Sequence, residues 1–149
     1  MNLLLVSSVV SSQKYEHCRE LRHKKLLDPN QKYLLQLLQG LAYNKDITIS
    51  AVSALPVSAS SCSKRNFSLD MEIESSIRFI YLPFINGKYL RYITLFLSTL
   101  SYILRWCVIN RKEKNILLCD SLIMQCSVIA KLIAHLFGIK VVAIVTDLT

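Results

Sequence analysis

The sequence predicts an α/β fold: a Rossmann-like, open and mostly parallel sheet of at least five strands, with helices on both faces. Two observations indicate it. Short runs of Leu, Ile and Val alternate along the chain with longer segments of helical periodicity. The last two runs, 115–119 and 141–145, are unbroken, as in parallel strands that are covered on both faces. We expect one domain over residues 1–149.

The elements follow in the order β-α-β-β-α-β-α-β. The predicted strands are short apolar runs at 3–6, 46–52, 77–82, 115–119 and 141–145. Three helices are predicted. The first begins after Asp28-Pro29-Asn30, and the other two cover residues 89–111 and 122–137. The last helix is apolar nearly all round, which predicts that it is buried, and Gly138 ends it. The Ser- and Ala-rich stretch 53–68 predicts a loop.

Composition excludes several classes of protein. Hydrophobic residues make up 52% of the chain and charged residues 19%, which excludes a disordered chain. The net charge of +8 favours work beside an anionic partner. Five cysteines without a C-x-x-C pair predict buried thiols in a reducing compartment, with neither a disulfide framework nor a metal site. No Lys or Arg precedes Lys14, so a secretory signal is not expected and the chain is interpreted as cytoplasmic.

Candidate site residues follow the predicted strands, because ligands of open α/β sheets bind beyond the carboxyl ends of the strands. They are Ser7, Ser8, Asn86, Asp120, Ser121, Thr146 and Asp147. A carboxylate at such a position can accept a proton from a hydroxyl or orient a sugar. Asp120 has the alternative role of capping the helix that follows it, and Asp147 that of a turn residue.

The first predicted crossover contains no glycine motif. Residues 7–29 are free of glycine, and only a bare backbone lets a pyrophosphate approach the start of a helix. A dinucleotide or nucleoside triphosphate site in this part of the chain is therefore not expected. The three histidines are scattered and are interpreted as non-catalytic.

The long predicted helix carries a narrow polar stripe of Arg91, Thr94, Ser98, Ser101 and Arg105. Residues 89–109 would extend about 32 Å, enough to cross a bilayer. The charge-free part, 92–104, is too short for a comfortable span. Three interpretations stay open: a helix that covers the sheet, a helix partly in the lipid interface, and a transmembrane helix.

Basic residues cluster at the far end of this helix: Arg105, Arg111, Lys112 and Lys114. Near an anionic membrane each Lys or Arg contributes on the order of 1 kcal/mol of attraction. The alternative is a solvated face that keeps the protein soluble. No nucleic-acid-binding motif is visible, so nucleic acid is not an expected partner.

Taken together, the residues resemble the N-terminal half of a GT-B glycosyltransferase, as in retaining glycosyltransferase family four. The resemblance is carried by residues 3–8, by Asp28-Pro29-Asn30-Gln31-Lys32-Tyr33 with Leu38-Gln39-Gly40-Leu41, and by 81–86, 116–120 and 142–147. Many members place a Gly-Gly loop where this chain has Ser7-Ser8-Val9-Val10-Ser11-Ser12, and a His where Thr146 and Asp147 stand.

The resemblance implies transfer of a sugar from a nucleotide-sugar to a glycan or lipid-linked acceptor. It implies that this half binds the acceptor, whereas a C-terminal domain absent from the chain holds the donor, so that no cofactor is expected here. Asp147 and Thr146 would face the reacting hydroxyl, Asp120 and Ser121 would hold acceptor hydroxyls, and Asn86 and Arg91 would flank the entrance. The alternatives are a non-catalytic partner that docks on membranes for a separate catalytic half, and an α/β domain that binds a small molecule.

Overall fold

The computed structural model describes residues 1–21, 29–57, 62–121 and 124–145. The elements, in chain order, are β1 Asn2–Ser7, α1 Ser12–Leu21, α2 Pro29–Ala42, β2 Thr48–Ser53, β3 Asn66–Phe67, β4 Asp70–Glu74, β5 Ile77–Tyr81, β6 Phe84–Ile85, α3 Leu90–Ile109, β7 Asn115–Asp120, α4 Met124–Leu136 and β8 Lys140–Ile144.

Six strands form the main sheet, in the order β4-β5-β2-β1-β7-β8. All neighbours are parallel except β4, which pairs antiparallel with β5. The predicted fold class, an α/β Rossmann-like and mostly parallel sheet, is confirmed, and so are the five predicted strands. The two short strands β3 and β6 pair apart from this sheet.

The core is built on the central strand, β1. Leu4 and Leu5 are fully buried and point to opposite faces of the sheet, so each face is covered by helices. The chain forms β2 and β5 on one side of β1, then crosses to form β7 and β8 on the other. Right-handed crossovers therefore place α1 and α2 on one face and α3 and α4 on the other.

Four elements were not expected from the sequence: α1, β4 and the short strands β3 and β6. Helix α1 lies in a basic stretch whose helical pattern is weak, and only Cys18 of this helix is buried. Strand β4 forms a hairpin with β5 through Ser75 and Ser76, which both have positive φ angles. Turns of this kind favour Asn-Gly, so Ser-Ser gives no sequence signal for one. The predicted loop 53–68 holds β3, which is two residues long.

The predicted burial of the last helix and the last strand is wrong in part. Helix α4 buries one face, whereas Val128, Leu132 and Leu136 on its other side are exposed. Strand β8 lies at the edge of the sheet, and Val142 is half exposed. An apolar run shows that a segment can be buried, but an edge strand and an outer helix have a neighbour on one side only.

Candidate functional site

The candidate site lies where the strand order reverses. Strands β1 and β7 are adjacent and parallel, but the chain leaves them toward opposite sides of the sheet. In open α/β sheets the two crossovers diverge at such a switch point and leave a crevice beyond the carboxyl ends of the strands. Ser7 ends β1 there and Ser8 follows it, while Asp120 ends β7 and Ser121 follows it. The structure therefore brings together four of the predicted site residues.

Ser7 and Ser8 differ in what they can offer a ligand. Ser7 is buried, and its hydroxyl accepts a hydrogen bond of 3.0 Å from the backbone N–H of Val9. Ser8 is half buried, and its side chain makes no hydrogen bond with the described part of the chain. Ser7 therefore shapes the loop, while Ser8 is the more exposed of the two serines.

The loop after β1 is clamped by side chains from two other elements. Gln31 of α2 accepts a hydrogen bond from the N–H of Val10 (3.1 Å) and donates one to the carbonyl of the same residue (2.6 Å). The hydroxyl of Ser53, at the end of β2, donates to the carbonyl of Val9. The loop is thus held in one conformation without glycine.

Asp120 lies at the floor of the site rather than on its surface. It is fully buried, and its Oδ2 accepts a hydrogen bond of 3.2 Å from Nδ2 of Asn30 at the start of α2. Its carbonyl accepts a bond of 2.7 Å from the hydroxyl of Ser127. Oδ1 of Asn30 is buried and has no hydrogen-bond partner in the described chain. Asn30 is a residue of the site that the sequence analysis placed at a helix start and in the segment of family resemblance, but not among the candidate site residues.

Ser121 is exposed, and its backbone N–H donates to the carbonyl of Ile144 in β8 (3.1 Å). The register places Asp120 opposite Ile144, two residues before Thr146. Thr146 and Asp147 lie outside the described residues, so their roles stay predictions. The strand that leads to them nevertheless ends beside Asp120, at the carboxyl edge.

The predicted entrance residues hold the loops beside the third predicted strand. Asn86 is buried, and its Nδ2 donates to the carbonyl of Lys64 at 3.1 Å. The guanidinium of Arg91 donates to the carbonyls of Val57 and Leu55 and lies 5.2 Å from the ring centre of Phe84. Both side chains therefore bind protein in this structure, and an acceptor contact by either stays a prediction.

The start of α1 is occupied by carboxylates of the chain itself. Glu74 accepts hydrogen bonds from the N–H (2.8 Å) and the hydroxyl (2.7 Å) of Ser12. Glu72 accepts bonds from the hydroxyls of Ser11 and Tyr81. Burial raises the pKa of the Tyr81 phenol, so it stays a hydrogen-bond donor. The N-terminus of a helix attracts anions, and here Glu74 already fills that place.

An ion pair anchors the same network. The ammonium of Lys14 contacts the carboxylates of Asp70 and Glu72. The hydrogen bond from Lys14 holds the pKa of Asp70 below its usual value of 3.8. Among the described residues no group of three His, Cys, Asp or Glu side chains could hold a metal ion.

The residues predicted to face a membrane are all solvent-exposed: Arg105, Arg111, Lys112 and Lys114. They lie at the C-terminal end of α3, near the amino edge of the sheet and away from the switch point. They therefore form a feature separate from the candidate site.

Comparison with protein families finds no family model that matches this chain, and no curated protein matches it. Among solved structures, the chain is similar to a UGT transferase from Siraitia grosvenorii in complex with UDP, with a TM-score of 0.50 and 15% sequence identity. The likeness covers 99% of this chain and 28% of that one, so the chain spans little more than a quarter of its length. At this identity the likeness shows the fold alone: an α/β Rossmann-like domain.

Proposed function

We propose that this chain is the acceptor-binding, N-terminal half of a GT-B glycosyltransferase of the family-four type. It would act in the cytoplasm and transfer a sugar from a nucleotide-sugar to a glycan or lipid-linked acceptor. The observation that carries the proposal is the switch point between β1 and β7, where hydroxyl and carboxylate groups gather on a fold of glycosyltransferase type. The similar structure was solved with UDP, which is consistent with a nucleotide-sugar donor.

The start of α1 supports a division of labour between two domains. In a Rossmann-like domain that binds a nucleotide, the phosphates approach the first helix through glycines. Here the carboxylate of Glu74, in β4, accepts hydrogen bonds from Ser12 at the start of α1. The side chain of Gln31 holds the preceding loop. A phosphate would meet a carboxylate there. The donor would therefore be held by a second domain across the crevice.

The acceptor would lie at the carboxyl edge. Ser8 and Ser121 present accessible hydroxyls, and Asp120 fixes the position of the segment that carries Ser121. Asp147, with Thr146, would hydrogen-bond the acceptor hydroxyl that attacks the sugar and take up its proton.

The test uses a full-length form that includes whatever the gene encodes after Thr149. Asp147→Asn removes the proton acceptor with little change in volume, so we expect turnover to fall on the order of 100-fold while the free energy of unfolding stays unchanged. Asp46→Asn is the matched control, because Asp46 is exposed and lies before β2, at the opposite edge of the sheet. Equal loss of turnover and stability in Asp147→Asn would make Asp147 a structural residue and refute its role.

A second candidate function is a non-catalytic partner that docks on a membrane and recruits a separate catalytic half. The exposed apolar side of α3 favours it. The downstream reading frame separates the two: a second Rossmann-like domain with paired glutamates indicates one enzyme, and an immediate stop indicates a partner. A third candidate, a non-catalytic domain that binds a small molecule, would show no donor hydrolysis in the completed protein.

A further inference from the structure

Helix α3 turns most of its polar stripe toward the protein. Arg91 donates to the carbonyls of Val57 and Leu55. The hydroxyl of Thr94 accepts from the N–H of Ile85 (3.1 Å), and that of Ser98 donates to the carbonyl of Pro83 (2.7 Å). An outer helix of a soluble domain normally has its polar side in water. In α3 these polar groups are used to attach the helix to the domain.

The outer side of α3 is mostly apolar, and Ser101 and Arg105 are exposed polar residues on it. We define its outer face as the line Leu90, Ile93, Leu97, Leu104 and Val108, whose spacings of three, four, seven and four place them on one side of a helix. All five are exposed, between 37% and 56%. Tyr89, Tyr92, Phe96 and Ile109 are exposed beside them. So much contiguous apolar surface indicates an interaction site.

Like α3, strand β4 directs its polar side chains toward the protein and its apolar side chains toward solvent. Its carboxylates contact α1, while Met71 and Ile73 are exposed to 62% and 74%. Ile73 lies opposite Arg78, and Arg78 lines a cavity of about 300 Å³ together with Tyr102 and Arg105 of α3. Opposed residues of an antiparallel pair share one face of the sheet. The exposed apolar residues of β4 are therefore on the same side of the domain as α3.

The C-terminal end of α3 carries a net positive charge, since Glu113 alone opposes Arg105, Arg111, Lys112 and Lys114 between residues 105 and 114. In the described part of the chain, Arg111 and Lys114 form no ion pair. The nearby carboxylate of Glu113 is bonded to Nδ2 of Asn2 (2.9 Å). Arg111, Lys114 and Lys140 line an open cavity of about 500 Å³, together with the carboxylate of Glu113 and the ring of Phe137, so basic residues outnumber acidic ones there. This end of the helix can accommodate phosphate groups.

Helix α3 is also, among the described residues, the one helix long and apolar enough to cross a membrane. Its inner side argues for a surface position instead. Leu95, Thr99, Ile103 and Cys107 are buried, and the hydroxyl of Thr99 lies 3.3 Å from Sγ of Cys126 in α4. A span would require α3 to leave this packing and the attachment of Arg91.

We propose that the outer face of α3 docks on the surface of an anionic lipid bilayer, with the basic end of the helix on the lipid phosphates. The apolar side chains enter the boundary between headgroups and acyl chains, and Tyr89 and Tyr92 lie at headgroup level. Charge complementarity favours a bilayer over a second copy of the chain, because lipid phosphates attract the basic end of α3 and a second, equally basic copy supplies no such anionic surface. The inference does not depend on sugar transfer.

The experiment is flotation of the full chain with vesicles of phosphatidylcholine alone or with one third phosphatidylglycerol. We expect binding to the anionic vesicles only, weakened by salt. Replacing Arg111, Lys112 and Lys114 with Gln should weaken binding on the order of 100-fold, and Ile93→Ser with Leu97→Ser should abolish it. All five side chains are exposed, so the variants are expected to fold, and circular dichroism checks this.

Matched controls change the same residue types elsewhere. Gln at Lys32, Lys45 and Arg65 removes the same charge, and Tyr33→Ser with Tyr43→Ser removes exposed apolar surface; both should bind as before. The proposal would be overturned if the variant with Gln at Arg111, Lys112 and Lys114 bound as before, or if the chain bound neutral vesicles equally well. A stable dimer that does not bind vesicles would also overturn it. Retention after carbonate extraction would overturn it in favour of a span. None of these outcomes affects the Asp147 test.

Discussion

Asp120 and Asn30 form a buried pair at the candidate site. The sequence offered two roles for Asp120, contact with an acceptor and support of the following helix. The structure shows a fully buried carboxylate that accepts from Asn30, with Ser127 donating to its carbonyl. In this conformation the residue joins the starts of α2 and α4, and the exposed hydroxyl of Ser121 is carried on that support.

This pair gives a prediction about stability. Asp120→Ala leaves the buried amide of Asn30 without its acceptor, so we expect a loss of about 2 kcal/mol in the free energy of unfolding. Urea unfolding followed by circular dichroism measures it. Ser121→Ala, at an exposed neighbouring position, should change stability by less than about 0.5 kcal/mol. If Asp120→Ala lowered the free energy of unfolding by less than about 0.5 kcal/mol, the carboxylate would be dispensable for the fold.

The predicted burial of the five cysteines is confirmed. All are free and buried. Burial raises the pKa of Cys119 to about 11 and also raises that of Cys126. At neutral pH these thiols are protonated and therefore unreactive. They serve as small apolar side chains of the core.

At the scale of elements, Gly138 and Gly40 make a matched pair. Gly138 has a φ of +66° and ends α4, where the N–H of Ile139 bonds to the carbonyl of Ala134 at 2.8 Å. Gly40 lies within α2, and an added Cβ would meet nothing within 4 Å at either glycine. The two positions therefore differ in backbone conformation and not in space.

Alanine should have opposite effects at the two glycines. Gly138→Ala forces a left-handed conformation on an L-residue and should destabilise the chain by about 1 kcal/mol. Gly40→Ala removes backbone freedom from the unfolded chain and should stabilise it by about 0.5 kcal/mol or more. Thermal and urea unfolding of both variants measure the sign. The same sign at both positions would contradict the assigned helix end.

At the scale of the whole molecule, α3 runs from the carboxyl ends of the strands to their amino ends. It begins after β6, near the carboxyl ends of the strands, and ends shortly before β7 begins at the amino edge. A bilayer on its outer face would therefore run alongside the candidate site. If both proposals hold, the acceptor is lipid-linked and reaches the site from that bilayer.

This arrangement predicts how turnover depends on the membrane. For the full-length form, anionic vesicles should raise turnover of a lipid-linked acceptor at least tenfold. Ile93→Ser with Leu97→Ser should remove that gain and leave turnover of a short, water-soluble acceptor unchanged, because the crevice is untouched. Rates measured with and without vesicles decide the matter. Equal loss with the soluble acceptor would show that α3 acts on the site itself.

The sequence by itself determined the fold class, the five parallel strands and the long helices, because apolar runs and helical periodicity report which segments can be buried. It also placed Ser7, Ser8, Asp120 and Ser121 at strand ends. The tertiary structure decided what each side faces. It exposed apolar side chains of α3 and β4 and placed β8 at the edge of the sheet. It also bonded Glu74 to the start of α1 and Asn30 to Asp120. These outcomes depend on contacts between segments far apart in the chain, which local patterns do not encode.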